Sequence, residues 1–350
     1  MLRVLIVDDS RMTRKVIRDM LSGDPEIRVV GEAEDGQDAL DKVLRLEPSI
    51  VTMDIVMPRM NGLEAITHIM AQRPTPILVV TSLADEKEIN ICFKAIKLGA
   101  LEVVRTPEIR SKKEFETVRK EMVSKIKLLS RIRVITHHLG KRKSRRLTIP
   151  PANPADLPSR RVVAIGASTG GPSAITTLLS ELPENFPASI VLVQHISEGF
   201  SPAFGQWLEK ESSMPVKLAE DWEPLQPGIV YISGSDKHIG IRKGHIRFSE
   251  GAPVNSCRPS IDLLFKSVAD EYGPEALGVL LTGMGKDGAE GCKAIQDAGG
   301  FTLVQDESTS LVYGMPQAAI ALGAATVVLP LAEISERILR LVLPVSGTNS

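Results

Sequence analysis

Apolar residues along this chain follow two rhythms. Short runs dense in Val, Ile and Leu alternate with longer stretches in which apolar positions recur every three or four residues. The runs predict strands and the longer stretches predict helices. The first run, residues 2–7, stops at Asp8-Asp9. Ser10 is a good N-cap, and Met12, Val16, Ile17, Met20 and Leu21 follow at helical spacing. A second strand begins at Val29-Val30, and a helix follows over 37–46. Residues 50–53 form a third strand ending at Asp54, and a loop over 57–62 leads into the next helix. Strands at 77–80, ending in Thr81-Ser82, and at 101–104 flank a helix over 86–98. An amphipathic helix over 112–130 closes the series. Strict alternation of strand and helix predicts a parallel sheet covered on both faces.

The rhythm stops at 131–160. Lys141, Arg142, Lys143, Arg145 and Arg146 cluster there, and Pro150, Pro151, Pro154 and Pro158 follow. This reads as a linker, part charged and part semi-extended, with the basic cluster a solvated hinge or domain contact. Alternation resumes at about Ser159. Strands are expected at 162–166, 190–193, 277–281, 301–304 and 326–329, with helices to 179, at 200–210, 260–271, up to 297, and 316–322. Short strands at 228–232, 238–242 and 245–248 suggest a surface hairpin region. The second half is therefore a second doubly wound α/β layer.

Composition narrows the class. A chain of 350 residues, 43% hydrophobic and 24% charged, is sized for two soluble domains. A net charge of −1 argues against nucleic acid as the main partner. No apolar run reaches the ~20 residues that would insert in a membrane, and the first residues lead straight into a strand without a signal-peptide pattern. Cys92, Cys257 and Cys292 are widely separated and odd in number. They read as reduced thiols without zinc spacing, and a cytoplasmic location is expected.

Chemistry concentrates where strands end, since ligands of such sheets bind at the carboxyl ends of the strands. Asp8, Asp9 and Asp54 converge if the first and third strands are neighbours. Three like charges at close quarters call for a cation, and an all-oxygen set suits Mg²⁺. A carboxylate beside Mg²⁺ can accept a phosphoryl group. In the second half, the run Gly166-Ala167-Ser168-Thr169-Gly170-Gly171-Pro172 places a serine between a strand and a helix N-terminus, where free N–H groups favour developing negative charge. His195 ends the next strand and Asp287 lies in the Gly-rich 283–288 loop. Together they form a candidate Ser-His-Asp constellation: nucleophile, base and orienting acid. Amides around Thr169 and Met284 are candidates for the oxyanion hole. His238 and His245 are rival bases, and Asp287 alone reads as a helix N-cap. Dinucleotide binding is disfavoured, because G-x-G-x-x-G spacing is absent and Gln194-His195 stands where an acid belongs. A non-enzymatic regulator whose second domain binds a partner is the alternative of a different class.

These residues carry a resemblance. Residues 1–125, with Asp8-Asp9, Asp54, Met57-Pro58, Gly62 and Thr81-Ser82, resemble a response-regulator receiver domain. Residues 159–345 resemble the catalytic domain of the chemotaxis response regulator protein-glutamate methylesterases. The runs that match are Ile165 to Gly171, Val193-Gln194-His195, Arg258-Pro259-Ser260-Ile261-Asp262 and Thr282 to Gly288. Residues 126–158 would be the linker. The resemblance implies a flavodoxin-like receiver followed by a Rossmann-like α/β hydrolytic domain. It implies phosphorylation of Asp54 by a chemotaxis histidine kinase, Mg²⁺ held by Asp9, Asp54 and the Val56 carbonyl with help from Asp8, and Thr81 as the switch. Ser168, His195 and Asp287 would then hydrolyse glutamyl methyl esters on methyl-accepting chemoreceptors, with Thr169 and Met284 in support and no cofactor for that step. Some members also deamidate receptor glutamines. One departure stands out: receivers usually carry a lysine just before the proline after the fifth strand, and here Thr106 holds that place, with Val103 where an aromatic is usual.

Overall fold

The computed structural model describes residues 1–81, 86–106, 111–132, 134, 161–197, 199–234 and 236–343. Ser82, Pro107, the basic cluster at 141–146 and the four prolines after it lie outside the described residues. The chain divides into two compact units, Met1–Lys141 and Arg142–Ser350.

The first unit runs β1 (Leu2–Val7), α1 (Arg11–Ser22), β2 (Ile27–Ala33), α2 (Gly36–Leu46), β3 (Ile50–Met53), α3 (Gly62–Gln72), β4 (Ile77–Thr81), α4 (Glu86–Lys97), β5 (Glu102–Arg105) and α5 (Lys112–Leu129). The strands form one parallel sheet in the order β2-β1-β3-β4-β5. The chain goes from β1 to β2 on one side and returns to β3 on the other, so a crevice opens at the ends of β1 and β3. Short polar side chains start the helices by accepting orphan amides: Ser10 takes Thr13 N at 3.3 Å, Asp35 takes Asp38 N at 2.9 Å and Asn61 takes Glu64 N at 3.0 Å. Val4, Ile6, Ile50, Leu78 and Val80 of the sheet pack against Ile17 and Leu21 of α1 and Ile126 and Leu129 of α5. The expected boundary at 125 thus falls inside a helix, because the same apolar face keeps meeting the sheet to the helix end. The second strand also starts earlier than expected, at Ile27, whose side chain joins this core.

The second unit runs β6 (Val162–Ala167), α6 (Gly171–Glu181), β7 (Ser189–Gln194), α7 (Ser201–Glu211), β8 (Val216–Leu218), β9 (Val230–Ile232), β10 (His238–Arg242), β11 (His245–Ser249), α8 (Ile261–Tyr272), a 3-10 turn (Gly273–Glu275), β12 (Ala276–Leu280), α9 (Ala289–Asp297), β13 (Phe301–Gln305), α10 (Met315–Ala321), β14 (Val327–Leu329) and α11 (Leu331–Val342). Seven strands make a parallel sheet ordered β14-β13-β12-β6-β7-β9-β8. Both architectures match the expected doubly wound layers. The strand β8 was not expected, since three residues are too few to show a rhythm. The β10–β11 hairpin differs from a surface hairpin: Ile239, Ile241 and Ile246 are buried with Leu264 and Phe265 of α8, and Ser267 Oγ of α8 accepts Ile241 N at 2.9 Å. Its alternating isoleucines supply the apolar face that covers the helix. Among the described residues, no helix is long and apolar enough to cross a membrane.

Candidate functional site

In the first unit, Val7 of β1 pairs with Met53 of β3, and Asp54 N donates to Val7 O at 2.9 Å. The register therefore sets Asp8, Asp9 and Asp54 together, with one carboxylate oxygen from each within 4.8 Å of the others. Asp8 and Asp54 are buried and Asp9 is exposed. Burial, reinforced by the charge of Asp54, pushes the Asp8 carboxyl up to about 7, although Ser10 N donates to it at 2.9 Å. Burial also raises Asp54. The Ile55 amide at 2.7 Å and the Thr81 hydroxyl offset part of this, and the charge of Asp9 adds to it. The cluster is under-compensated, as a site for a hard cation would be. Thr106 N donates to Thr81 O at 2.8 Å, and Thr106 Oγ1 is buried without a hydrogen-bond partner among the described residues.

In the second unit, β6 lies between β12 and β7, so the loops after these strands meet. Ser168 N donates to Thr282 O at 3.0 Å and His195 N donates to Ala167 O at 2.9 Å, which ties the three loops together. Ser168 is half-buried, Thr169 is buried and Met284 is 42% exposed. Two glycines are required by close approach. A Cβ at Gly283 would lie 2.2 Å from Met315 Sδ and 2.8 Å from Ser168 Cβ. One at Gly171 would lie 1.9 Å from Gln194 Oε1. Gln194 uses its amide to hold the loop, with Nε2 donating to Ser168 O at 2.9 Å and His195 O at 2.7 Å.

His195 Nε2 meets Asp287 Oδ2 at 3.0 Å. Asp287 is not the cap of its own helix: Gly288 occupies that position before α9. It caps α8 instead, accepting Ile261 N at 2.7 Å, Asp262 N at 3.2 Å and Ser260 Oγ at 2.8 Å, and Asn255 Nδ2 at 3.2 Å adds a further donor. Asp262, in the first turn of α8, returns the favour by accepting Gly288 N at 2.9 Å and Gly291 N at 2.7 Å at the start of α9. Two helix N-termini thus exchange carboxylates, each favoured by the other's dipole. Burial works to raise Asp287, but the His195 hydrogen bond and charge, with the α8 donors, hold it below the usual carboxylate range. Burial and the Asp287 charge push Asp262 the other way, upward. Burial opposes charge on His195 too, yet its hydrogen bonding to Asp287 and Cys257 outweighs it and holds the imidazole up at about 9.

The rival histidines have other work. Both ring nitrogens of buried His238 are engaged: Nε2 lies 3.1 Å from Ala252 O, and Ser260 N donates to Nδ1 at 3.1 Å. It positions Ser260, which in turn holds Asp287. His245 Nδ1 lies 2.8 Å from Lys243 O, and its ring packs on Trp222. Sequence reasoning missed Asn255, Ser260 and Asp262 as supports for Asp287, although Arg258 to Asp262 had stood out as a motif. It also missed Cys257, whose Sγ lies 3.7 Å from His195 Nδ1.

Two family models match the chain: response regulator receiver domain over residues 4–112 and CheB methylesterase over 163–338. A protein-glutamate methylesterase/protein-glutamine glutaminase of Myxococcus xanthus is 43% identical over 346 residues, 96% of each chain. One from Syntrophus aciditrophicus is 41% identical and covers 99% of each. The CheB methylesterase catalytic domain of Thermotoga maritima, a crystal structure, is 39% identical, with a TM-score of 0.51 over 53% of this chain and all of that one.

Proposed function

The chain belongs to the CheB methylesterase family, and we propose that its second unit hydrolyses glutamyl methyl esters of chemoreceptors with Ser168 as nucleophile, His195 as base and Asp287 as the acid that orients it. The observation that carries this reading is the 3.0 Å His195–Asp287 contact beside the Ser168 loop. With Nε2 held by Asp287, the imidazole offers Nδ1 as the base once that nitrogen is deprotonated, a form that grows as pH rises toward about 9. Ser168 Oγ attacks the ester carbonyl as His195 takes its proton. The amides around Thr169 and Met284 receive the oxyanion. Methanol leaves with the proton returned by His195, and water then cleaves the acyl-enzyme to give the glutamate. A glutamine side chain would lose ammonia by the same steps, in keeping with the glutaminase in the relatives' names.

The first unit, a receiver by family, would accept a phosphoryl group on Asp54 from a histidine kinase and regulate that hydrolysis. Receivers as a class use Mg²⁺, and the under-compensated Asp8, Asp9 and Asp54 fit it. These carboxylates and the Val56 carbonyl would hold the ion, which neutralises charge during phosphoryl transfer. Thr81, hydrogen-bonded to Asp54, would report the modification.

The test is methanol release from a methylated chemoreceptor preparation. Ser168→Ala should reduce the rate by about 10³-fold or more, since triad members act as a unit. Activity close to wild type in that variant would overturn the assignment and move the nucleophile to Cys257, the other nucleophilic group beside His195.

A further inference from the structure

The neighbourhood of His195 contains a group that the proposed hydrolysis does not use. Cys257 follows a two-residue turn in which Val254 and Cys257 exchange backbone hydrogen bonds, Val254 N to Cys257 O at 3.1 Å and Cys257 N to Val254 O at 2.8 Å. The two central residues, Asn255 and Ser256, have φ of 51° and 63°. Such a turn favours glycine at its second position, and Ser256 stands there instead. The conformation is held from outside, since Asn255 Nδ2 donates to Asp262 Oδ2 at 2.8 Å and to Asp287. The thiol is therefore fixed on the same scaffold that fixes the imidazole, and Cys257 is half-buried.

We propose that Cys257 Sγ and His195 Nδ1 form a binding site for a soft divalent cation, Zn²⁺ by preference, and that occupation of this site shuts off hydrolysis. The inference rests on His195 being the base. A tetrahedral Zn²⁺ with bonds of about 2.3 Å to sulfur and about 2.0 Å to nitrogen spans an S···N separation of about 3.5 Å. The observed separation is 3.7 Å, so the pair accepts the ion with a shift of a few tenths of an ångström. His195 has the second feature of a metal ligand as well: its other ring nitrogen is bound to a carboxylate, which fixes the tautomer and makes the free nitrogen a better donor. Histidine, cysteine and aspartate here offer ligand atoms within 4.8 Å of one another. Thiolate and imidazole select a soft cation over Mg²⁺. On binding, the S–H bond and, in the protonated imidazole, the Nδ1–H bond break and their protons pass to water, S–Zn and N–Zn bonds form, and water completes the shell. The Nδ1 lone pair is then unavailable to take the Ser168 proton.

The experiment uses the full chain, ZnCl₂ in a non-chelating buffer and, separately, CoCl₂ as a spectroscopic probe. Low-micromolar Zn²⁺ should suppress methanol release about tenfold or more, and excess chelator should restore it. Cys257→Ser, measured against its own metal-free rate, should need at least about tenfold more Zn²⁺ for the same fractional inhibition. Wild type with Co²⁺ should show a near-ultraviolet thiolate-to-metal band that Cys257→Ser lacks. The acidic cluster of the first unit cannot produce that band, and Cys92 and Cys292 are buried. Equal Zn²⁺ sensitivity in Cys257→Ser, or no thiolate band in wild type, would overturn the proposal. Failure of the esterase reading looks different, because methanol release is then absent without any metal while the Co²⁺ band still forms.

Discussion

Each unit buries acids at the carboxyl ends of its strands, and the two groups are built in opposite ways. Asp8 and Asp54 sit with Asp9 among few donors, and burial drives both of their carboxyls upward. Asp287 is equally buried but accepts from Ser260, Ile261, Asp262, Asn255 and His195, and its carboxyl is driven downward. Burial alone does not decide what a carboxylate is for; its donors do. A cluster short of donors keeps capacity for a cation or a phosphoryl group. A carboxylate saturated with donors is a fixed anion, able to hold one imidazole in one tautomer without itself taking part in proton transfer.

The sharpest way to break this comparison is to remove one acid from each group. Asp287→Ala leaves the α8 amides and His195 without their partner, and breaking a buried pair of this kind costs about 3–5 kcal/mol. Both tryptophans, Trp207 and Trp222, lie in the second unit, so urea unfolding followed by tryptophan fluorescence reads that unit alone. A midpoint unchanged in Asp287→Ala would contradict the saturated-anion picture. Asp54→Asn should do the reverse in the first unit without Mg²⁺: removing a like charge from the cluster should stabilise it by roughly 1 kcal/mol, read by calorimetry in the transition that leaves tryptophan fluorescence unchanged. The same variant should lose stabilisation by Mg²⁺ and labelling by a small phosphodonor. Label retained at wild-type level would place the acceptor elsewhere.

Why one group was legible in the sequence and the other only in part follows from the same contrast. Asp8 and Asp54 announce themselves because each directly follows an apolar run, with Asp9 next to Asp8, and strand adjacency does the rest. Ser168 and His195 stood out because they lie where strands end and Asp287 because it lies in a Gly-rich loop; most strands and helices were legible because their rhythm is local. The support of Asp287 is not local. It joins Asn255 and Ser260 to a residue some thirty positions on, through a turn whose left-handed residues carry no glycine signal. His238 looked like a base because its two ring partners come from the 252–260 segment, which no periodicity placed beside it. Cys257 and His195 are 62 residues apart. No metal-ligand spacing along the chain could have paired them; the contact is made only by the fold.

The pH dependence of stability separates the two groups by window. Asp8, raised from 3.8 to about 7, keeps a proton in the folded unit that the unfolded chain has already released. The first unit therefore loses stability as pH rises from 3.8 to about 7. His195, raised from 6.5 to about 9, contributes fully below pH 6.5, and its contribution is lost as pH climbs through about 9. Asp8→Asn should flatten the lower window in the first calorimetric transition. His195→Gln should flatten the upper window in the tryptophan-reported transition. Either slope surviving its own variant would assign that titration to another group. Cys257→Ala, which removes one of the two partners that raise His195, should move the upper window toward pH 6.5 without touching the lower one.

The smallest expected effect comes from giving the first group a donor it lacks. Thr106 stands where receivers usually carry lysine, its amide is bound to Thr81 O, and Thr81 in turn touches Asp54. Its hydroxyl, buried without a partner among the described residues, contributes nothing to balance the acids. An ammonium introduced by Thr106→Lys favours the charged form of a nearby carboxylate. It should therefore pull Asp8 and Asp54 back toward the ordinary range, narrow the lower pH window from its upper end and weaken Mg²⁺ binding, because the lysine offsets charge that the cation would otherwise neutralise. A phosphoryl group on Asp54 gains a charge partner at the same time, so the modified state should be favoured more strongly. Coupling energies of about 1–3 kcal/mol correspond to roughly 5- to 150-fold changes. With Thr106, stimulation of methanol release by phosphodonor belongs at the low end of that range, and Thr106→Lys should raise it a few-fold. If the variant leaves the pH window, the Mg²⁺ affinity and the stimulation all where they were, the position takes no part in balancing the cluster, and the acids of the first unit must draw their compensation from somewhere other than the end of β5.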